Sequence, residues 1–215
     1  WPTGLQALAS RPGPSRSALG HCVPNSKPIV RSAIIGELIH VLRHMGIPVK
    51  PLLAEAGLPT TSDFEDPHGA VPLEAVLRLF ERAAEVTGRA DFSLHYVKAF
   101  RSPASGLYGD LLRSSATIGE MFRLGVEFIS IFASSMQASY ENAAGVERFE
   151  WSYPQSISAA HVHFNLFIAA AMVARARSST TSDWQPLKLE LDHIAPQGEG
   201  GAAVAGFFGP RLRFE

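Results

Sequence analysis

The period of the hydrophobic pattern changes along this chain, and that change restricts what it can fold into. Up to Phe132 the apolar residues recur at helical spacing. Ile34, Leu38, Val41, Leu42 and Met45 make one stripe, closed by Gly46. Val49, Leu52, Leu53 and Ala56 make a second, stopped by Gly57. Leu73, Val76, Leu77, Phe80, Ala83 and Ala84 form a third behind a first-turn proline, Pro72. Further helices are expected over Asp91–Phe100, Gly106–Arg113 and Thr117–Phe132, the last opened by a Thr117/Glu120 capping box. From Met136 the repeat is two. Met136, Ala138 and Tyr140 alternate with Gln137, Ser139 and Glu141; Phe149, Trp151 and Tyr153 alternate with Arg148, Glu150 and Ser152. This pattern predicts an antiparallel hairpin around a four-residue turn, Asn142-Ala143-Ala144-Gly145. An apolar helix from about Ser158 to Arg177, a third strand at Leu187, Leu189 and Leu191, and a short helix Gly201–Phe208 complete the pattern. The predicted class is α+β: several N-terminal helices packed with a small antiparallel sheet and one long inserted helix.

Composition narrows the function. At 46% hydrophobic, 215 residues bury one core. The charge is balanced, 19 Lys+Arg against 20 Asp+Glu, without a long basic run. Nucleic-acid binding rests largely on phosphate neutralisation, so this segment alone is not expected to bind DNA. The single cysteine, Cys22, excludes a disulfide framework and makes a cytoplasmic setting the default. Residues 1–28 carry five prolines and read as a disordered or non-domain tail, with the folded unit at 29–215. The last residues, Gly209-Pro210-Arg211-Leu212-Arg213-Phe214-Glu215, open an amphipathic strand, so the chain reads as a fragment of a longer protein. The longest apolar run, Ile157 to Ala174, contains His161, His163 and Asn165, which fits a buried helix better than a membrane span.

Chemistry-bearing motifs are sparse. Gly198-Glu199-Gly200-Gly201 resembles a loose dinucleotide fingerprint, but Pro196 intervenes and no strand directly precedes it; a flexible loop is expected there, and no cofactor. His161 and His163, two residues apart on a helix, lie on nearly opposite faces and cannot share a metal ion. His161 and Asn165, four apart, share a face and suit either a ligand or a satisfied polar pair in the core. No nucleophile elbow, P-loop or His-Glu-x-x-His motif is present, so no enzyme is expected.

An ordered series of short motifs carries a family resemblance. It runs Val30-Arg31-Ser32, Gly46-Ile47, Leu52-Leu53-Ala54-Glu55-Ala56-Gly57-Leu58, Val71-Pro72-Leu73, Phe80-Glu81-Arg82-Ala83-Ala84 and Thr87-Gly88. Gly106-Leu107-Tyr108-Gly109, Leu111 through Glu120, Trp184-Gln185-Pro186, Asp192-His193-Ile194-Ala195-Pro196 and Phe207-Phe208-Gly209 follow. The series resembles the N-terminal arabinose-binding-like sensor and dimerisation domain of AraC/XylS-type transcription regulators, in its helix-rich variety. Met121-Phe122-Arg123-Leu124-Gly125 departs from the more usual Ala-Leu-x-x-Leu. The resemblance implies a small-molecule effector, a homodimer, and DNA contact only through a C-terminal helix-turn-helix domain absent from this sequence. A stand-alone ligand-binding or structural α+β domain is the alternative.

A sensor needs a concave, mostly apolar pocket with a few polar groups. The best supply lies between the hairpin and the long helix: Tyr108, Phe128, Phe132, Trp151, His161 and Asn165, with Phe149 and Tyr153 beside them. Such walls suit a small, partly apolar metabolite with one polar or anionic group. The same aromatics equally suit a filled core.

Overall fold

The computed structural model describes residues 4–9 (backbone only), 27–60, 64, 66, 69–99, 106–157, 160–181 and 183–214. Cys22, most of the acidic loop after Pro59 and Ser158 lie outside the described residues. The architecture is α+β. In chain order the elements are β1 (Gly4–Ala9), β2 (Ile29–Arg31), α1 (Ala33–His44), α2 (Val49–Ala56), β3 (Ala70–Pro72), α3 (Leu73–Thr87), α4 (Phe92–Ala99) and α5 (Gly106–Arg113). There follow α6 (Ile118–Glu127), α7 (Ile129–Phe132), β4 (Gln137–Ala143), β5 (Val146–Ser152), α8 (Val162–Ser179), β6 (Lys188–Leu191), α9 (Gly198–Phe208) and β7 (Leu212–Phe214). No helix among the described residues is long and apolar enough to cross a membrane.

The long helix α8 organises the core. Its residues from Phe164 to Val173 are buried without interruption, which requires neighbours on every side. Phe80 of α3 and Tyr96 of α4 meet Phe167 on one side, with ring centroids 5.4 Å apart in both pairs. On another side Asn165 is hydrogen-bonded to Trp151 of β5. Beyond the helix, Arg177 donates to the Trp184 and Phe207 carbonyls at 2.9 and 2.7 Å, tying α9 to the end of α8.

The antiparallel hairpin β4–β5 is present, and the sheet extends past it in the order β4-β5-β1-β6-β7, with β1, β6 and β7 joined by parallel pairing. The hairpin turn has two residues rather than four: Ala143 pairs with Val146, and Ala144 (φ 51°) and Gly145 (φ 78°) make the reversal. Positive φ at both central positions is the type I′ geometry, whose twist matches that of the flanking strands.

The tail expected over residues 1–28 is corrected at Gly4–Ala9. These residues are a strand between β5 and β6, with Ala7 opposite both Phe149 and Leu189. The prolines at 2, 12, 14 and 24 flank this stretch but do not enter it. Two neighbouring strand edges offer a ladder on each side, and that pairing is non-local.

Three local boundaries also shift. The first helical stripe reads back to about Val30, but the helix begins at Ala33, because Val30 pairs with Val71 in a short ladder. Bonds from Ser32 N–H to Gly69 O and from Leu73 N–H to Pro28 O, both 2.9 Å, fix that ladder. The helix expected over Thr117–Phe132 is broken at Phe128 (φ −111°, ψ 15°). Arg31 Nε donates to the Ile131 carbonyl at 2.8 Å, and Ala133 forms an antiparallel bridge with Val30, so the second piece follows β2 rather than α6. The Thr117 cap forms: its hydroxyl accepts from Glu120 N–H at 3.1 Å, while the Glu120 carboxylate takes Ala116 N–H at 2.8 Å.

Finally, Gly198-Glu199-Gly200-Gly201 is the first turn of α9 and not a loop. A Cβ on Gly200 would stand 2.7 Å from the Ala90 Cβ, and one on Gly201 would collide with the Pro196 carbonyl. Close packing accounts for Gly200 and Gly201.

Candidate functional site: a half-enclosed apolar cavity with a buried arginine

Alternation along β5 points Glu147, Phe149 and Trp151 inward. The cross-strand partners of the latter two are Tyr140 and Ala138. Helix α8 crosses this face, while α5 and α7 close the side. Between them is a cavity of about 30 Å3, room for about one water molecule. Phe149 and Trp151 form its floor, and Tyr108 of α5 and Phe132 of α7 form a side. The Tyr108 and Phe132 rings stack with centroids 5.5 Å apart. The Tyr108 hydroxyl points away into its own hydrogen bond, to the Gly125 carbonyl at 2.9 Å. Met136 and Met172 supply flexible wall.

The exception to this apolar lining is Arg175. It lies on the cavity wall and is 6% exposed. Its Nε is buried and makes no hydrogen bond, although Arg175 takes part in other interactions within the protein. Burial pulls its pKa down to about 10, opposed by the nearby Tyr108, Glu37 and Tyr96, so the guanidinium is charged at neutral pH. The same burial pushes the Tyr108 phenol up.

Of the residues expected at the site, Tyr108, Phe132 and Trp151 meet on this cavity. Phe128 sits at the α6–α7 break and is not on its wall. Asn165 is also off the wall. It is fully buried, and its Oδ1 accepts from Trp151 Nε1 at 3.2 Å and from the Tyr153 hydroxyl at 2.7 Å. His161 is the N-cap residue of α8, with φ −140°, and its ring lies 4.6 Å from that of Tyr153. Sequence reasoning missed Arg175. The signal was there: Ile168, Ala171, Met172 and Arg175 fall at i, i+3, i+4 and i+7, one stripe of one helix, and all four line the cavity.

A second, open cleft of about 430 Å3 lies at the start of α8, lined by Glu81, Arg89 and His163 among others. Glu81 accepts the His163 backbone N–H at 2.8 Å. Desolvation raises the Glu81 pKa, against the lowering effects of that hydrogen bond and of His161. Desolvation, with a smaller contribution from His193, pulls His163 down to about 4. Among the described residues no group of three or more His, Cys, Asp or Glu is placed to hold a metal ion.

No curated protein sequence matches this chain. A family model described as the arabinose-binding domain of AraC transcription regulator, N-terminal, matches residues 46–215. That span takes in α2 through β7, and with them the whole lining of the apolar cavity. The chain therefore belongs to the family of N-terminal arabinose-binding domains of AraC transcription regulators.

Proposed function

We propose that residues 29–215, together with the strand Gly4–Ala9 that completes their sheet, are the effector-sensing and dimerising unit of an AraC-type regulator acting in the cytoplasm, with DNA read by helix-turn-helix units outside this sequence. The observation that carries the sensing role is the cavity between β5, α5, α7 and α8. It draws its wall from four separate elements, so an occupant that spreads them alters their packing together. In this reading the domain binds and signals, and no residue is assigned a catalytic role.

Its walls and lining are tested by a thermal-shift screen of small metabolites on this chain. At least one compound should raise the melting temperature, and Ala171→Leu, which fills the cavity, should abolish that rise. A panel without a binder, or a binder indifferent to Ala171→Leu, overturns the sensing role.

Pairing of subunits is supported by α6 and α7. Leu124, Val126, Phe128, Ile129 and Ile131 are only half-buried there, whereas α8 is enclosed on all sides and offers no apolar face. A helix-turn-helix protein reading paired half-sites needs two coupled subunits. Light scattering should show a dimer at high micromolar concentration; a monomer there overturns this part. The balanced charge supports DNA binding elsewhere in the regulator. Submicromolar, sequence-dependent binding of this chain in a gel-shift assay near physiological salt would contradict it.

A further inference from the structure

The five-stranded sheet ends in two unlike edges. At one end β7 is three residues long and presents Arg213 to solvent, a short and charged edge. At the other end is β4, which among the described residues pairs with β5 alone. It is seven residues long, and each residue faces one on β5 without a bulge. It contains no proline and no lysine. Of the usual devices that blunt a sheet edge it carries one, the charge of Glu141. Helix α6 packs over the inner face of the hairpin rather than across this edge. Its Phe122 meets Phe149 of β5 with ring centroids 5.0 Å apart, and a Cβ on Gly119 would collide with the Glu147 carboxylate. Gln137, Ser139, Glu141, Asn142 and Ala143 stay exposed.

The hairpin geometry decides which groups the edge offers. Ala143 and Val146 flank a two-residue turn, so they exchange hydrogen bonds, and bonded and non-bonded pairs alternate from there. Gln137, Ser139 and Glu141 therefore bond to β5, while the N–H and C=O groups of Ala138, Tyr140 and Asn142 point away from it. An antiparallel strand of the same sequence meets those groups when the register is centred on Tyr140. Tyr140 then faces its own copy, Ala138 faces Asn142, and Gln137 faces Ala143, so the whole strand is paired. Glu141, the one charged residue, faces Ser139. Moving the register by two residues shortens the ladder, and in the direction of the turn it sets Glu141 against itself, which is unfavourable. The longest pairing is thus also one free of like charges. That match of the strand to itself favours a second copy of this chain over a foreign peptide.

Resting on the reading that this unit dimerises, we infer that two copies join edge to edge through β4, antiparallel and centred on Tyr140, so that their sheets become one. Main-chain hydrogen bonds supply the attraction, and the Tyr140 pair at the dyad adds a cross-strand aromatic contact. Such pairing keeps every side chain on its own face, so both helical layers lie on the same side of the joined sheet. Helix α7 runs through residues 133–136 into β4, which puts the half-buried apolar residues of α6 and α7 within reach of the same interface.

Sedimentation equilibrium of the unaltered chain and its variants at high micromolar concentration tests this. Asn142 is exposed and its N–H points away from β5, so Asn142→Pro spares the hairpin and removes a donor at each end of the intermolecular ladder. It should weaken dimerisation about tenfold or more, with the circular dichroism spectrum unchanged. Ser139 faces Glu150 within its own hairpin, so a lysine is tolerated there. Ser139→Lys sets that lysine against Glu141 of the second copy and should tighten the dimer about twofold or more. Adding Glu141→Gln should remove the gain. If Asn142→Pro does not fold, the Ser139→Lys pair of variants decides. A dimer indifferent to Asn142→Pro, or to Ser139→Lys, overturns the inference and leaves the dimerisation reading standing. A monomeric unaltered chain overturns both.

Discussion

Tyr153 donates its hydroxyl to Oδ1 of Asn165 at 2.7 Å, joining the end of the hairpin to the first turns of α8. The same oxygen takes the indole N–H of Trp151. One amide therefore fixes two aromatic side chains against the helix. Asn165→Ala strands both donors, and losing the acceptor should cost about 2–4 kcal/mol of unfolding free energy. Urea denaturation checks this. A loss below 1 kcal/mol (on the order of one ordinary hydrogen bond) would show that water replaces the amide.

His163 should make the domain acid-sensitive. Its folded-state pKa of about 4 lies below the ordinary 6.5, so folding favours the neutral ring. The stability it contributes is fully present above pH 6.5 and is lost as pH falls from 6.5 toward 4. The shift corresponds to at most about 3 kcal/mol. Glu81, His161 and His193 are the titratable groups that act in this region. His163→Phe keeps a ring and drops the proton. Its melting temperature should fall less than that of the unaltered protein between pH 7 and pH 4.5, and parallel curves would refute the assignment.

Glu81 works in the opposite sense. Its pKa is raised, chiefly by desolvation, so the folded state holds the proton more tightly than the unfolded chain. The contribution is present below the ordinary carboxylate pKa of 4.5 and is lost as pH rises through the folded value. Glu81→Gln retains an acceptor for His163 N–H and cannot ionise. At pH 7 it should match or exceed the stability of the unaltered protein, and that advantage should shrink toward pH 4. A marked loss of stability at pH 7 would show that the carboxylate charge is needed.

Two glycines of α9 give an internal control for the close packing there. A Cβ at Gly201 collides with the Pro196 carbonyl, whereas one at Gly206 meets nothing within 4 Å. Gly201→Ala should destabilise by about 1–3 kcal/mol, as overpacking does. Gly206→Ala should stabilise by roughly 0.5–1 kcal/mol through helix propensity. Thermal denaturation of the two variants decides; equal effects would remove close approach as the reason for Gly201.

Some of this protein is determined by its sequence alone. The stripes of α1, α2 and α3, the Thr117 cap and the inward set Phe149 and Trp151 follow from local rules, because hydrophobic period and cap chemistry act within a few residues. The family resemblance was legible for a similar reason, as a chain-ordered series of such local signals. Tyr108, Phe132 and Trp151 were recognisable as apolar candidates, each on the buried side of its own element.

Only the tertiary structure decided what those sides are buried against. Nothing near Phe128 in the chain requires a break; Arg31, about a hundred residues earlier, takes the Ile131 carbonyl there. Nothing near Gly4–Ala9 specifies a central strand; β5 and β6, brought together by the fold, supply both ladders. Asn165 and Arg175 are two polar residues in one apolar helix. One meets the indole of Trp151 and the other the wall of an apolar cavity, because α8 is walled by different elements along its length. Periodicity records that a face is buried; the identity of the neighbour is a long-range pairing, and a buried polar group takes its role from that neighbour.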